Sequence, residues 1–243
     1  MKRIFNVDDD FFETIDCEEK AYCLGLMYSD GNVVSSKVWN SKIISITQSE
    51  KDKDIVELFK KLTKSESLIN ESVVNGGKYY KLCIHSKKMF DDLAALGVVE
   101  RKSLILTFPS FLNEEMIRHF IRGYFDGDGS VWEGKRKKMS VKDERKPGEY
   151  RERIVQNVKF NITGAAPFIE GLQDFLIKNY GFTKTKLNFS KAKNKNTHCT
   201  MEYSGRKNLE RFFNVIYNGA NFFGKRKRNK FEKIINYENN SDI

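Results

Sequence analysis

Two aspartates, Asp30 and Asp128, sit in stretches that echo one another: Tyr22-Cys-Leu-Gly-Leu-Met-Tyr-Ser-Asp-Gly-Asn32 and Phe120-Ile-Arg-Gly-Tyr-Phe-Asp-Gly-Asp-Gly-Ser130. Each reads as the last turns of an apolar helix running into an Asp-Gly stop. Two carboxylates brought together at helix C-terminal ends would meet the negative poles of two macrodipoles and each other's charge. Such a pair calls for a positive partner, and carboxylate oxygens suit a hard divalent cation that activates water. A plainer alternative is a pair of helices with glycine-rich stops. The repetition weighs against it.

The elements that must position the acids follow from the same stretches. Gly25 and Ser29 stand four residues apart, as do Gly123 and Gly127, so each helix has one face almost without side chains. Packed face to face, the two helices would approach closely and deliver Asp30 and Asp128 side by side. The aspartates lie 98 residues apart in a chain of 243, which favours two fused halves, 1–108 and 109–243.

Around each stretch a similar pattern recurs. Asp16 and Glu19 form a capping box for the first helix, and the residues before it read as a docking arm. Val33–Trp39 and Ile43–Thr47 read as a hairpin, and Asp52–Leu62 as a helix. A second hairpin joins Ser67–Val74 to Tyr79–His85 across Asn75-Gly76-Gly77, and Met89–Leu96 closes the half as a helix. Thr107–Ser110 is a linker, with Asn113 placed to cap the next helix. Strands Val131–Lys142 and Arg153–Thr163 then flank a charged loop at Lys142–Arg151, followed by a helix at Pro167–Tyr180. A hairpin of Thr183–Ser190 and Thr197–Ser204 turns at Lys191–Asn196, and Arg206–Ile216 and Arg226–Tyr237 are helices. The expected class is α+β: two pseudo-symmetric αββαββα halves with antiparallel sheets.

Strand alternation separates a packing face from an open one. The open faces carry Tyr79, Lys81 and His85 in the first half. In the second they carry Arg153, Asn157, Lys159 and Asn161, with Lys184, Lys186 and Asn188 on the last hairpin. Such residues hold phosphates and read base edges, and an antiparallel ribbon fits the major groove. A solvated outer face would alternate in the same way. Charge favours the nucleic-acid reading: the net charge is +10, with 16 basic against 17 acidic residues in 1–113 and 27 against 16 in 114–243. The second half is therefore expected to make more of the phosphate contacts.

The four cysteines show no metal-type spacing, and no apolar run approaches membrane-spanning length. Free thiols and a soluble protein of an intracellular compartment, cytoplasm or organelle matrix, are expected. The three histidines show no ligand spacing and no nucleotide-type glycine loop is present, so no nucleotide cofactor is implied.

Cys23-Leu-Gly-Leu-Met-Tyr-Ser-Asp-Gly31 and Ile121-Arg-Gly-Tyr-Phe-Asp-Gly-Asp-Gly129 resemble the nine-residue motif of the LAGLIDADG homing endonucleases, of the two-motif, single-chain type. The first copy departs from it, with Tyr28 where the second has Asp126. The resemblance implies a monomeric, site-specific endonuclease that cuts both strands of a double-stranded DNA target across the minor groove. It implies Asp30 and Asp128 as ligands of Mg²⁺ or another divalent cation, helped by the backbone carbonyls of Ser29 and Gly127. It also implies basic residues near the site, for which Lys102 and Lys227 are the candidates, and a polar residue in the water network, Gln48. The matching place in the second half is Gly164, so the two sites are not expected to be equivalent. Lys225–Arg228 is a basic run that could instead hold phosphate or act as a nuclear-import signal. A cleavage-inactive DNA-binding protein or an intron-splicing maturase of the same fold is the alternative.

Overall fold

The computed structural model describes residues 5–36, 38, 41–142, 150–190 and 197–236, with side chains left aside over 136–156. The strand end at Trp39, most of the charged loop, the turn Lys191–Asn196, Tyr237 and the side chain of Arg153 lie outside the described residues. The first half runs α1 (Glu18–Ser29), β1 (Gly31–Ser36), β2 (Ser41–Ser49), α2 (Lys53–Leu62), β3 (Ile69–Val74), β4 (Gly77–His85) and α3 (Lys87–Ala95). The second runs α4 (Glu114–Asp128), β5 (Gly129–Lys142), β6 (Tyr150–Ala165), α5 (Ala166–Tyr180), β7 (Asn188–Phe189), β8 (His198–Ser204), α6 (Arg206–Tyr217) and α7 (Lys225–Asn236). The strand orders are β1-β2-β4-β3 and β5-β6-β8-β7, all antiparallel, so the two sheets repeat one topology.

Local chemistry sets most element ends. Asn75 and Gly76 both take positive φ, 50° and 78°, which closes the β3–β4 hairpin in two residues. The side chains of Asn113 and Ser86 accept from the backbone N–H of Met116 and Met89 and cap α4 and α3. Asp16 does not cap α1 as expected. The N-cap is Cys17, with no side-chain bond, while the Asp16 carboxylate is drawn to Lys20 at 2.9 Å and accepts from the Thr14 hydroxyl.

The strand expected over Thr183–Ser190 shrinks to Asn188–Phe189. The Thr183 carbonyl accepts from the Tyr203 hydroxyl and the Thr185 carbonyl from the Gln173 amide, which ties the segment to side chains instead of a ladder. Lys184 and Lys186 therefore sit exposed on irregular chain.

One core runs through the molecule. Ile44, Ile46, Leu82 and Ile84 cover the inner face of the first sheet, and Phe160, Ile162, Met201 and Tyr203 that of the second. Helix α1 is buried on every side, since α4 takes one face and the first sheet's core the other. The arm before α1 docks on α2 and α3 through Phe11 and Phe12 and through bonds from Asp8 N–H to the Thr63 carbonyl and from Ser86 Oγ to Asp9. All four cysteines are free thiols. Among the described residues no helix is long and apolar enough to cross a membrane.

Candidate active site

The small faces of α1 and α4 do meet. A Cβ added to Gly25 would lie 2.1 Å from the Phe120 carbonyl oxygen, and one on Gly123 would lie 2.0 Å from that of Tyr22. The backbones are thus in contact at the crossing, and only glycine fits there. One turn further on, a Cβ on Gly127 would meet Ser29 Oγ at 2.0 Å and Asp30 Oδ2 at 2.7 Å, so Asp30 reaches across to the end of the opposite helix.

Asp30 caps α1 and Asp128 ends α4, near one another at the joined helix ends. Asp128 is accessible to solvent but hemmed in by protein, and its pKa is pushed up to about 6, first by desolvation and next by the Asp30 carboxylate. Burial raises the Asp30 pKa too, against the Gln48 amide, which donates to Asp30 Oδ2 at 2.6 Å. Both acids therefore ionise less readily than an ordinary carboxylate, a cost that a bound cation would offset.

Two buried lysines, Lys102 and Lys227, stand at the same helix ends, each 6% exposed. Lys102 donates to the Ser29 carbonyl at 3.3 Å and the Gly31 carbonyl at 2.5 Å. Lys227 donates to the carbonyls of Phe125, Asp126 and Gly127 at 2.9, 2.7 and 2.6 Å. Lys227 satisfies the last carbonyls of α4, and Lys102 the last carbonyl of α1 and the first of β1, so each ammonium offsets the negative pole where a carboxylate must sit. Burial lowers both lysine pKa values, and the nearby aspartates oppose that. The residues chosen from sequence, Asp30, Asp128, Lys102, Lys227, Gln48 and the carbonyls of Ser29 and Gly127, thus lie together around the joined ends of α1 and α4.

Among the described residues no group of three or more His, Cys, Asp or Glu forms a metal cage. The donors present are two carboxylates and two backbone carbonyls that lysines already contact. Oxygen donors without soft or imidazole ligands fit a hard divalent cation completed by water or phosphate oxygens.

Residues 115–217 match the model of a family described as a LAGLIDADG-like domain. Among solved structures, the I-LtrWI LAGLIDADG homing endonuclease bound to target DNA superposes with a TM-score of 0.59 at 14% identity, over 94% of this chain and 93% of that one. Meganuclease I-SmaMI bound to uncleaveable DNA with a TTCT central four gives 0.58 at 14% identity, over 92% of each chain. The I-SmaMI LAGLIDADG homing endonuclease bound to cleaved DNA gives 0.54 at 16%, over 91% and 90%. The fold is that of the two-domain LAGLIDADG proteins. A comparison with curated protein sequences returned no match.

In this fold each of the two helices α1 and α4 hands directly into the first strand of a sheet, so the open sheet faces begin at the acids. Tyr79, Lys81 and His85 are exposed on the first open face, opposite the packed Leu82 and Ile84. Across the ladder Lys81 faces Thr47 and Asn70, and Tyr79 faces Ser72. On the second, Asn157, Lys159 and Asn161 alternate with buried Val158, Phe160 and Ile162. Lys159 is paired with Glu202 at 2.8 Å, and Asn188 is exposed opposite Thr200.

Sequence reasoning missed several site residues. The Tyr124 hydroxyl donates to the Thr163 carbonyl at 3.0 Å and also favours the charged form of Asp128. Asp126 is buried and accepts from the hydroxyls of Tyr22 and Tyr217 at 2.9 and 2.7 Å and from Gly224 N–H at 2.6 Å. Within the Lys225–Arg228 run only Lys227 is buried; Arg226 is exposed but makes a two-pronged bond to Asp52 at 2.7 and 2.8 Å, and half-buried Arg228 pairs with Glu232. Only the spacing of Lys227 beyond α6 hinted at this.

Proposed function

We propose that the protein is a monomeric, site-specific double-strand DNA endonuclease of the homing type that works with a bound divalent cation, magnesium being the natural choice. Its halves divide near 1–108 and 109–243. The observation that supports this most is the pair of aspartates at the joined ends of two glycine-packed helices, each leading into a polar sheet face. The basic surplus of residues 114–243 supports DNA as the polyanion. The DNA-bound relatives of this fold support it further.

Asp30 and Asp128 hold the cation, with the Ser29 and Gly127 carbonyls beside them. When bound, the ion activates water and stabilises charge on the scissile phosphate. Lys102 and Lys227 hold the helix ends that carry the acids and temper the negative potential of the cleft. Gln48 fixes the orientation of the Asp30 carboxylate. Lys81, His85, Tyr79, Asn157, Lys159, Asn161 and Asn188 face the major groove from the sheets, while Lys184 and Lys186 reach phosphates from the irregular segment. Arg153 belongs to the same β6 strand.

A plasmid carrying sites selected from a randomised library tests the proposal. Linearisation with Mg²⁺ and none with EDTA is expected. Tight, specific binding without any cutting would instead establish a binding protein or maturase of this fold.

A further inference from the structure

Among the apolar side chains exposed on the two sheets, Val34 and Trp132 stand at equivalent places. Val34 is 43% exposed and Trp132 42%. Each lies four residues beyond its motif aspartate on the first strand of its sheet. The register agrees: Gly31 pairs with Ile46 as Gly129 pairs with Ile162, and Val34 pairs with Ile43 as Trp132 pairs with Lys159. Neither side chain is core material, since that role falls to the neighbours Val33 and Val131. Trp132 is also held in place. A Cβ on Gly134 would lie 2.2 Å from the indole Cη2, so the ring lies across a bare glycine, and Lys159 Nζ stands 5.5 Å from its centroid. Isolated exposed apolar residues are ordinary, but a pair matched in register across two halves, one opposite Ile43 and the other opposite Lys159, is not.

On the reading of the preceding subsection, on which this inference rests, both faces enter the major groove. The apolar group that base edges display there is the C5-methyl of thymine. We infer that Val34 and Trp132 each read a pyrimidine C5-methyl, one in each half of the target. The bound site then carries a methylated pyrimidine, thymine in unmodified DNA, at two positions related by the pseudo-twofold axis.

The test uses the full chain and duplexes of its selected cleavage site in which each thymine in turn becomes uracil, a change that removes only the methyl. Binding is expected to fall about four-fold, the effect of exposing one methyl, at two positions placed symmetrically about the centre. Val34→Ser abolishes the sensitivity at one position and Trp132→Ala at the other, each leaving its partner's intact. At both positions 5-methylcytosine is expected to bind better than cytosine, and ranking the four pyrimidines tells which methylated base the site prefers. Full binding and cutting of the all-uracil site, or uracil sensitivity that neither variant moves, overturns the inference while the nuclease reading stands. Failure to select any site from the library removes both.

Discussion

Gln48 and Gly164 hold the same place in the two halves, each two residues beyond the strand partner of the glycine that follows a motif aspartate. Gln48 fills its place with an amide that donates to Asp30. Gly164 leaves its place to the Tyr124 hydroxyl, which lies 2.3 Å from where a Cβ would stand. The two carboxylates therefore have different neighbours: an amide that donates to Asp30, and beside Asp128 a phenol that donates to the Thr163 carbonyl and favours the ionised acid.

Unequal cutting of the two strands follows. In a time course on supercoiled plasmid, a nicked intermediate is expected to build up before the linear product. Gln48→Leu is expected to slow one strand, and Tyr124→Phe the other, by about 10–100-fold, the usual effect of removing a partner that orients a ligand. Strand-specific end labels read the result. Equal slowing of both strands by either variant would show that the two carboxylates act as one unit.

The glycine crossing makes a stability prediction that no surface glycine shares. Gly25→Ala or Gly123→Ala drives a methyl into a backbone carbonyl, and backbone cannot swing aside as a side chain can. A loss of about 3 kcal/mol or more is expected from urea unfolding, for overpacking at a site that cannot relax. Gly76→Ala is the control: it has open space around it and suffers only from its positive φ. Comparable losses at the three positions would mean that the helices are not in contact.

Legibility in the sequence tracked the range of the interactions. The echo around Asp30 and Asp128, the four-residue spacing of small residues and the Asn75-Gly76 turn are local patterns, and the fold follows them. Thr183–Leu187 alternates like a strand, yet its carbonyls are taken by Tyr203 and Gln173, partners that no local period announces. Lys225–Arg228 reads as one uniform basic patch, because the burial of Lys227 and the pairing of Arg226 with Asp52, 174 residues away, leave no local mark. Gln48 and Lys102 came from family likeness, and their bonds to Asp30 and to the helix-end carbonyls were beyond any pattern in the chain.

Asp126 illustrates the same limit and carries a prediction. Its counterpart in the first half is Tyr28, whose hydroxyl donates to the Leu96 carbonyl at 2.5 Å. Each residue ties the end of a motif helix to the end of a later helix in its own half, one as acceptor and one as donor. Asp126→Ala strands two buried hydroxyls and a backbone N–H, so a loss of about 3–5 kcal/mol is expected, as when one partner of a buried charged network is removed. Tyr217→Phe removes a single donor and is expected to lose about 1–3 kcal/mol. If Asp126→Ala unfolds at the wild-type denaturant midpoint, the network does not hold α6 to the site.

Asp128 provides the sharpest test, because one substitution moves activity and stability in opposite directions. Its folded pKa, about 6, lies above the ordinary value of 3.8. The folded state thus holds the proton more tightly than the unfolded chain, and stability declines as pH rises from about 4 to 6 and stays low above that. Asp30, shifted the same way, adds to the trend, while Lys102 and Lys227 moderate it. In EDTA at pH 7.5, Asp128→Asn is therefore expected to melt a few degrees above wild type, and the gain should vanish below about pH 4, where both proteins are neutral at this position. Added Mg²⁺ should raise the wild-type melting temperature and leave the variant's almost unchanged, while the variant binds its target but no longer cuts both strands. A variant no more stable than wild type at pH 7.5 would mean that the two carboxylates do not strain the metal-free cleft, and retained double-strand cutting would remove Asp128 from the chemistry.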